Sequence, residues 1–236
     1  MTELLYLYSD SLQAESEVIE CDSLSVVLDK TIFYAQGGGQ PADKGVIVCG
    51  ESSFAVEDVQ KKDGSVVHIG HFEKGIFSSG DVVKLIIDSD RRLLNSRLHS
   101  AGHLIDTAIV NLGLQLVPGK GYHYPEGAYV EYLGSVEENQ RVQTCKQLED
   151  ECNRLIEKGN EVHIAEIDFE DVGRFILNTP DYIKPGVKVR VVTVAGKYGC
   201  PCGGTHVKNI SEIKSMSITK IKSAGSGKIR VSYSVE

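Results

Sequence analysis

The chain has 236 residues, 41% of them hydrophobic and 25% charged, with a net charge of −8. This composition suits an ordinary globular protein that buries a core, and its acidic balance argues against indiscriminate nucleic-acid binding. No apolar run approaches the ~20 residues that span a membrane, so no membrane partner is expected. The six cysteines (Cys21, Cys49, Cys145, Cys152, Cys200, Cys202) show no framework spacing and read as reduced thiols.

The opening MTELLYLYSDS lacks the basic-then-apolar order of a signal peptide and reads as a strand, so a cytoplasmic location is expected. Short β-branched and aromatic runs follow: VVLDKTIFYAQ, GVIVCG, SFAVEDVQ, SVVHIGHF and DVVKLIID. Turn signals such as Lys62-Asp63-Gly64 separate them, which suggests a small barrel or sandwich over residues 1–88. Within it, Gly37-Gly38-Gly39-Gln40 follows an aromatic strand. It reads either as a hairpin turn or as a loop offering backbone N–H groups to a ligand. It is not a P-loop, because no Gly-Lys-Ser/Thr follows. His68 and His71, in SVVHIGHF, and His163, further along, are read as surface residues.

From Asp90, taken as the N-cap, RRLLNSRLHSAGHLIDTAIVNLG has apolar residues at helical spacing and stops at Gly113. A domain boundary is placed near residues 87–90, with residues 89–236 forming a second, α+β domain. The helix carries His99 and His103 at i and i+4, so both imidazoles share one face. Such pairs arise often by chance. Ser100 stands where a zinc peptidase needs Glu, and Ala101 where a zinc deaminase needs Glu, so both of those chemistries are excluded.

Strands are expected at 114–123 and 128–133. Ser135-Val136-Glu137-Glu138 reads as a capping box opening a helix that runs to about Lys158. A strand over 161–167, a short helix capped by Asp168 and ending at Leu177, and strands over 187–194, 216–223 and 228–235 complete the chain. From Lys184 onward ten Lys and Arg face only Glu212 and Glu236, a net +8, leaving −16 on the remainder. That basic segment reads either as a solvated surface or as a face for a phosphate-bearing partner. Between two of these strands lies Cys200-Pro-Cys202-Gly-Gly-Thr-His206. With His99 and His103 it makes three imidazoles and a thiol, a zinc-type donor set split across about a hundred residues.

Phe33-Tyr34, Gly38-Gly39-Gln40, Asp43-x-Gly45, His99-x-x-x-His103 and Cys202-Gly-Gly-Thr-His206, in that order, resemble the editing domain of alanyl-tRNA synthetases and the free-standing alanyl-tRNA editing proteins, in their medium-length form. The motifs anchor nearly the whole chain. The resemblance implies a trans-editing hydrolase that deacylates alanine tRNA mischarged with serine or glycine, using Zn²⁺. It implies an α+β fold: a small β-barrel-like domain, then an editing domain with an antiparallel sheet and a long metal-bearing helix. It places the metal on His99, His103, Cys202 and His206. Four ligands would close a zinc site, whereas a catalytic zinc keeps a position open, so His206, or a swap at that corner, is expected to be the loose one. It assigns catalysis to Thr31, Gln40 and Cys200, Thr31 sensing the serine hydroxyl. Substrate binding falls to Gly37, Gly38, Gly39 and His123. The stretch 117–123 lacks the Gln of the synthetase domains, and Tyr122 and His123 are read as pocket-lining there. Two alternatives stay open: a threonyl-type editing domain, and a non-catalytic tRNA-binding protein with structural zinc. No protein partner is expected.

Overall fold

The computed structural model describes residues 1–176 and 183–236. Contacts divide it into two compact units, Met1–Leu94 and Asn95–Glu236. No helix among the described residues is long and apolar enough to cross a membrane.

The first unit is a β structure. Strands β1 (Glu3–Leu4), β2 (Gln13–Cys21), β3 (Ser25–Leu28), β4 (Lys30–Thr31), β5 (Gly45–Cys49), β6 (Ser52–Lys62), β7 (Ser65–Lys74) and β8 (Val82–Ile87) occur in that order. Six of them close into a barrel, β2-β3-β7-β6-β5-β8, which leaves no open sheet edge. All barrel pairings are antiparallel, with β2 meeting β8 from Gln13↔Ile86 to Glu17↔Val82. Alternate residues fill the interior: Val18, Val26, Ile47, Phe54, Val83 and Leu85 are fully enclosed. Burial of each large apolar side chain stabilises the fold by about 1.5–3 kcal/mol. The opening stretch departs from the expected strand. After β1, Leu5–Leu7 turn into a 3₁₀ helix that buries Tyr6.

The second unit is α+β. Helix α1 (Ser89–Asn111) contains the division between the units. Its cap is Asp88 rather than Asp90: Asp88 Oδ1 accepts the amides of Asp90 and Arg91, at 3.1 and 3.0 Å. The helix stops as expected at Gly113, whose φ of +67° suits glycine. Strands β9 (Val117–Tyr122) and β10 (Ala128–Leu133) lead to α2 (Arg141–Lys158). The expected capping box does not cap α2. Glu138–Gln140 form a 3₁₀ turn first, and Gln140, at the N-cap, makes no side-chain bond. A working capping box lies at Asn209 and Glu212 instead.

Next come β11 (Val162–Asp168), the short α3 (Val172–Phe175), β12 (Lys188–Val194), β13 (Cys200–Pro201), β14 (Met216–Gly225) and β15 (Lys228–Val235). Leu177, expected to end the helix after Asp168, lies outside the described residues. Two antiparallel sheets result, β14-β15-β10-β9 and β11-β12-β13. α2 packs on β14, where the Asn153 amide bonds both the N–H and the C=O of Met216, at 3.0 and 2.8 Å. Two tyrosines of the four-stranded sheet reach α1. The Tyr132 hydroxyl donates to Asp106 at 2.6 Å, and that of Tyr233 to the Leu98 carbonyl at 2.9 Å.

Candidate metal centre and adjoining cavity

His99 and His103 project from one face of α1, as their i,i+4 spacing requires. Cys202 and His206 come from the loop after β13. Pairing of Val192 with Cys200 and an amide bond from Cys202 to the Arg190 carbonyl (3.1 Å) fix where that loop starts. One donor atom from each of the four residues lies within 4.8 Å of the other three. Cys202 Sγ is 3.4 Å from His99 Nε2 and 3.3 Å from His206 Nε2. A tetrahedral ion with bonds of about 2.0–2.3 Å has edges of roughly 3.3–3.6 Å between its ligands, so these separations fit a metal cage.

The surroundings agree with that fit. Burial, reinforced by the charges of its neighbours, pushes His99 well below its ordinary pKa. Burial and then the Arg190 charge take His103 down to about 4, so both rings are neutral and available as ligands. Burial raises the Cys202 thiol, but the Gly204 amide at 3.3 Å and Arg190 act against this and favour the thiolate. Arg190 Nη1 also donates to the Cys202 carbonyl at 2.5 Å. His206, the corner expected to be loose, is held on the side away from the cluster. Its Nδ1 meets Ser100 Oγ at 3.0 Å, and that oxygen also accepts the Val207 amide at 3.1 Å. Of the four residues, His103 faces the adjoining space.

That space is a cavity of about 340 Å³ within the second unit. Among its lining residues are His103, Asp106, Thr107, Asn111, Tyr198 and Cys200. Its size is at the low end of the range for small-molecule sites, about 300–1,000 Å³. Asp106 continues the face that carries His99 and His103, at i+7. Burial takes its carboxyl up to about 7 despite the bond from Tyr132. The sequence reading missed it, although its position one further turn along the histidine face was the available signal. Cys200 lines the same cavity. Burial, then Asp106 and Cys202, raise its thiol, so it is present as a neutral wall rather than a thiolate.

His123 is buried and stacks on His99, with centroids 4.5 Å apart. It does not line the cavity. Tyr122 is 37% exposed and stacks between Tyr124 and Tyr129 on the sheet.

The remaining predicted residues belong to the first unit. Thr31 is fully buried. Its Oγ1 meets His68 Nε2 at 2.8 Å and accepts the Phe33 amide at 3.0 Å. His68 is therefore not a surface residue. Alternation along β7 turns Val66, His68 and Gly70 inward, and His68 Nδ1 meets the Val26 carbonyl at 3.0 Å. His71 and His163 are exposed, as expected. Gly37 and Gln40 bond each other's backbones, at 3.2 and 2.9 Å, around Gly38 and Gly39. Those two glycines have φ of +54° and +79°, where an L side chain is strained. The glycine run is thus a tight turn whose Gly37 and Gln40 amides are already paired. Gln40 is fully buried.

Residues 2–91 match the family described as tRNA synthetases class II (A), and residues 189–232 the threonyl and alanyl tRNA synthetase second additional domain. The alanyl-tRNA editing protein AlaX-L of Pyrococcus horikoshii is 33% identical over 82% of this chain and 47% of its own length. The alanine–tRNA ligase of Acetivibrio thermocellus is 31% identical over 97% of this chain and 26% of the ligase. That of Thermobifida fusca is 35% identical over 89% of this chain and 24% of the ligase. The chain thus spans less than half of the editing protein and about a quarter of the ligases. Split ligand set, motif order and similarity together identify it as a relative of the alanyl-tRNA editing proteins and the alanine–tRNA ligases.

Proposed function

We propose that this protein hydrolyses the aminoacyl ester of alanine tRNA mischarged with serine or glycine. The observation that carries the reading is the cluster of His99, His103, Cys202 and His206 beside the cavity lined by Asp106. Three imidazoles and a thiolate suit Zn²⁺ among common divalent ions. When bound, such an ion supplies Lewis-acid polarisation of an ester carbonyl and acidifies a water. Water adds to the ester carbon, the bond to the ribose oxygen breaks, and that oxygen leaves with a proton. The vicinal ribose hydroxyl serves as the proton relay. The protein's part is to hold the aminoacyl group in the cavity.

Selection of serine over alanine fits a second site that bonds a hydroxyl, since alanine leaves such a site unpaired. Thr31 and Gln40 take catalytic roles in this proposal on the family resemblance. The protein works in the cytoplasm, and its basic C-terminal segment is proposed to meet the tRNA backbone.

The test is deacylation of Ser-, Gly- and Ala-charged alanine tRNA by the purified chain, with Cys202→Ala and Thr31→Val alongside. Hydrolysis of the serine and glycine esters, lost in Cys202→Ala with folding retained, is the expected result. Thr31→Val is expected to erode serine preference. Full activity in metal-free protein would refute the zinc-assisted version, and preference for serine on threonine tRNA would move the reading to the threonyl type.

A further inference from the structure

The Asp106 carboxyl is an ionisable group without a cation. One oxygen, Oδ1, accepts from Tyr132 at 2.6 Å. Among the described residues the second oxygen has no hydrogen-bond partner, and no Lys or Arg pairs with Asp106. Lys197, which lines the same cavity, lies over the Tyr198 ring, 5.2 Å from its centroid. A partly buried carboxylate left uncompensated is costly, and the cost is relieved by an ammonium ligand. Asp106 lines the cavity together with the metal-type ligand His103.

We infer that Asp106 binds the α-ammonium group of the aminoacyl ester in this cavity. The inference rests on the proposed ester substrate and names the group by which that substrate is held. An aminoacyl ester carries its cation on the carbon next to the scissile carbonyl. A carboxylate beside a carbonyl-activating centre is therefore placed to orient the reacting bond. Tyr132 holds Asp106 by its Oδ1, which leaves Oδ2 as the oxygen for a ligand. The arrangement does not distinguish serine from alanine. It distinguishes a free amine from a blocked one, so N-acylated and peptidyl esters are excluded.

The experiment compares wild type and Asp106→Asn on Ser-tRNA(Ala) and N-acetyl-Ser-tRNA(Ala). Asparagine keeps the bond from Tyr132 and removes the charge. The expected loss on the free-amino substrate is about 10- to 100-fold, the range for a hydrogen bond to a charged group. On the N-acetyl substrate wild type and variant are expected to agree within about twofold. An equal loss on both substrates would mean that Asp106 acts on water, and would overturn the inference. Equal cleavage of both substrates by wild type would do the same without any variant, so a misfolded Asp106→Asn leaves the idea falsifiable.

A second readout needs no turnover. Serinamide and N-acetylserinamide are titrated into zinc-loaded protein and followed through the amide resonances of Thr107 and Cys200. Serinamide is expected to shift both in wild type and neither in Asp106→Asn, with N-acetylserinamide inert. Serinamide shifts that persist in the variant overturn the inference. If wild type cleaves neither ester yet binds serinamide through Asp106, the hydrolase reading fails and the amine site stands.

Discussion

His123 lies flat against His99, with ring planes 21° apart and centroids 4.5 Å apart. Two further contacts hold His123 in that position. Its Nδ1 meets the Tyr233 hydroxyl at 2.6 Å, and that hydroxyl donates to Leu98. The hydroxyl thus accepts from Nδ1, which fixes the neutral tautomer. Two glycines leave the slot the ring fills: a Cβ on Gly102 would come within 2.4 Å of His123 Cε1, and one on Gly121 within 2.2 Å of Nε2. His123 is therefore a wall that stops His99 from rotating.

His123→Ala is expected to loosen that wall. It opens a hole and leaves Tyr233 short of a partner, a cost of about 2–4 kcal/mol. The melting temperature should fall by roughly 5–15 °C for a chain of this size. Zinc affinity, read by chelator competition, should drop about tenfold or more, as it does when a ligand loses its orienting neighbour. Undiminished affinity would show that His99 needs no such support. Gly102→Ala should give a milder version of the same pair of effects.

In the first unit, Arg92 and Asp43 hold the glycine turn in place. Arg92 Nε donates to both Asp43 oxygens at 3.1 Å, Nη2 contacts Oδ2 and donates to the Ile32 carbonyl at 2.7 Å. Asp43 also accepts the Tyr34 amide at 2.7 Å. The pair is enclosed, with side-chain exposures of 8% and 0%. Asp43→Ala strands a buried guanidinium, and equilibrium unfolding should show a loss of about 3–5 kcal/mol. Replacing both partners, as in Asp43→Leu with Arg92→Met, should cost distinctly less. A double variant no better than the single would mean that the Tyr34 amide, not the charge, is what Asp43 serves.

Much of this was legible in the sequence where a period or a spacing carries the information. Apart from the opening stretch, the strand runs, the helix stopping at Gly113 and the two metal-type pairs are local patterns that the structure has. The misses are of two kinds. Asp88 displaced Asp90 as cap because two carboxylates two residues apart compete for the same amides, and Ser135–Glu138 does not cap α2 because a 3₁₀ turn over Glu138–Gln140 moves the helix start to Arg141. His68 and Asp106 were missed because their roles are set by partners 37 and 26 residues away, Thr31 and Tyr132. Alternation with Val66 did signal that His68 faces inward, but not what it would meet.

Burial of His68 makes stability depend on pH. Desolvation takes its pKa down to about 4, from an ordinary 6.5, against the bond to Val26. Between those values the unfolded chain binds the proton and the folded chain does not. The contribution is therefore complete above about pH 6.5 and is lost as pH falls toward 4, by about 3 kcal/mol. Unfolding free energies measured across pH 4–7 should show this slope. His68→Gln, which can still bond Thr31, should flatten it at some cost in stability at neutral pH. An unchanged slope in that variant would assign the dependence to other groups.

Ser100 makes the last prediction sharp because its oxygen serves two elements. For Nε2 of His206 to face Cys202 as a ligand, Nδ1 must carry the proton and donate to Ser100 Oγ. The same oxygen accepts the Val207 amide, so both lone pairs are used. Ser100→Ala removes the acceptor from both donors in a site where Ser100 is fully buried. Apo-protein stability should fall by about 1–3 kcal/mol from the unpaired Val207 amide. Zinc affinity should fall by about 10- to 100-fold from the freed imidazole. The two losses separate: a metal titration on protein held well below its melting temperature reads the second alone. Were the affinity to survive while stability fell, Ser100 would be bracing only the loop that follows His206, and the histidine would be held by the metal itself.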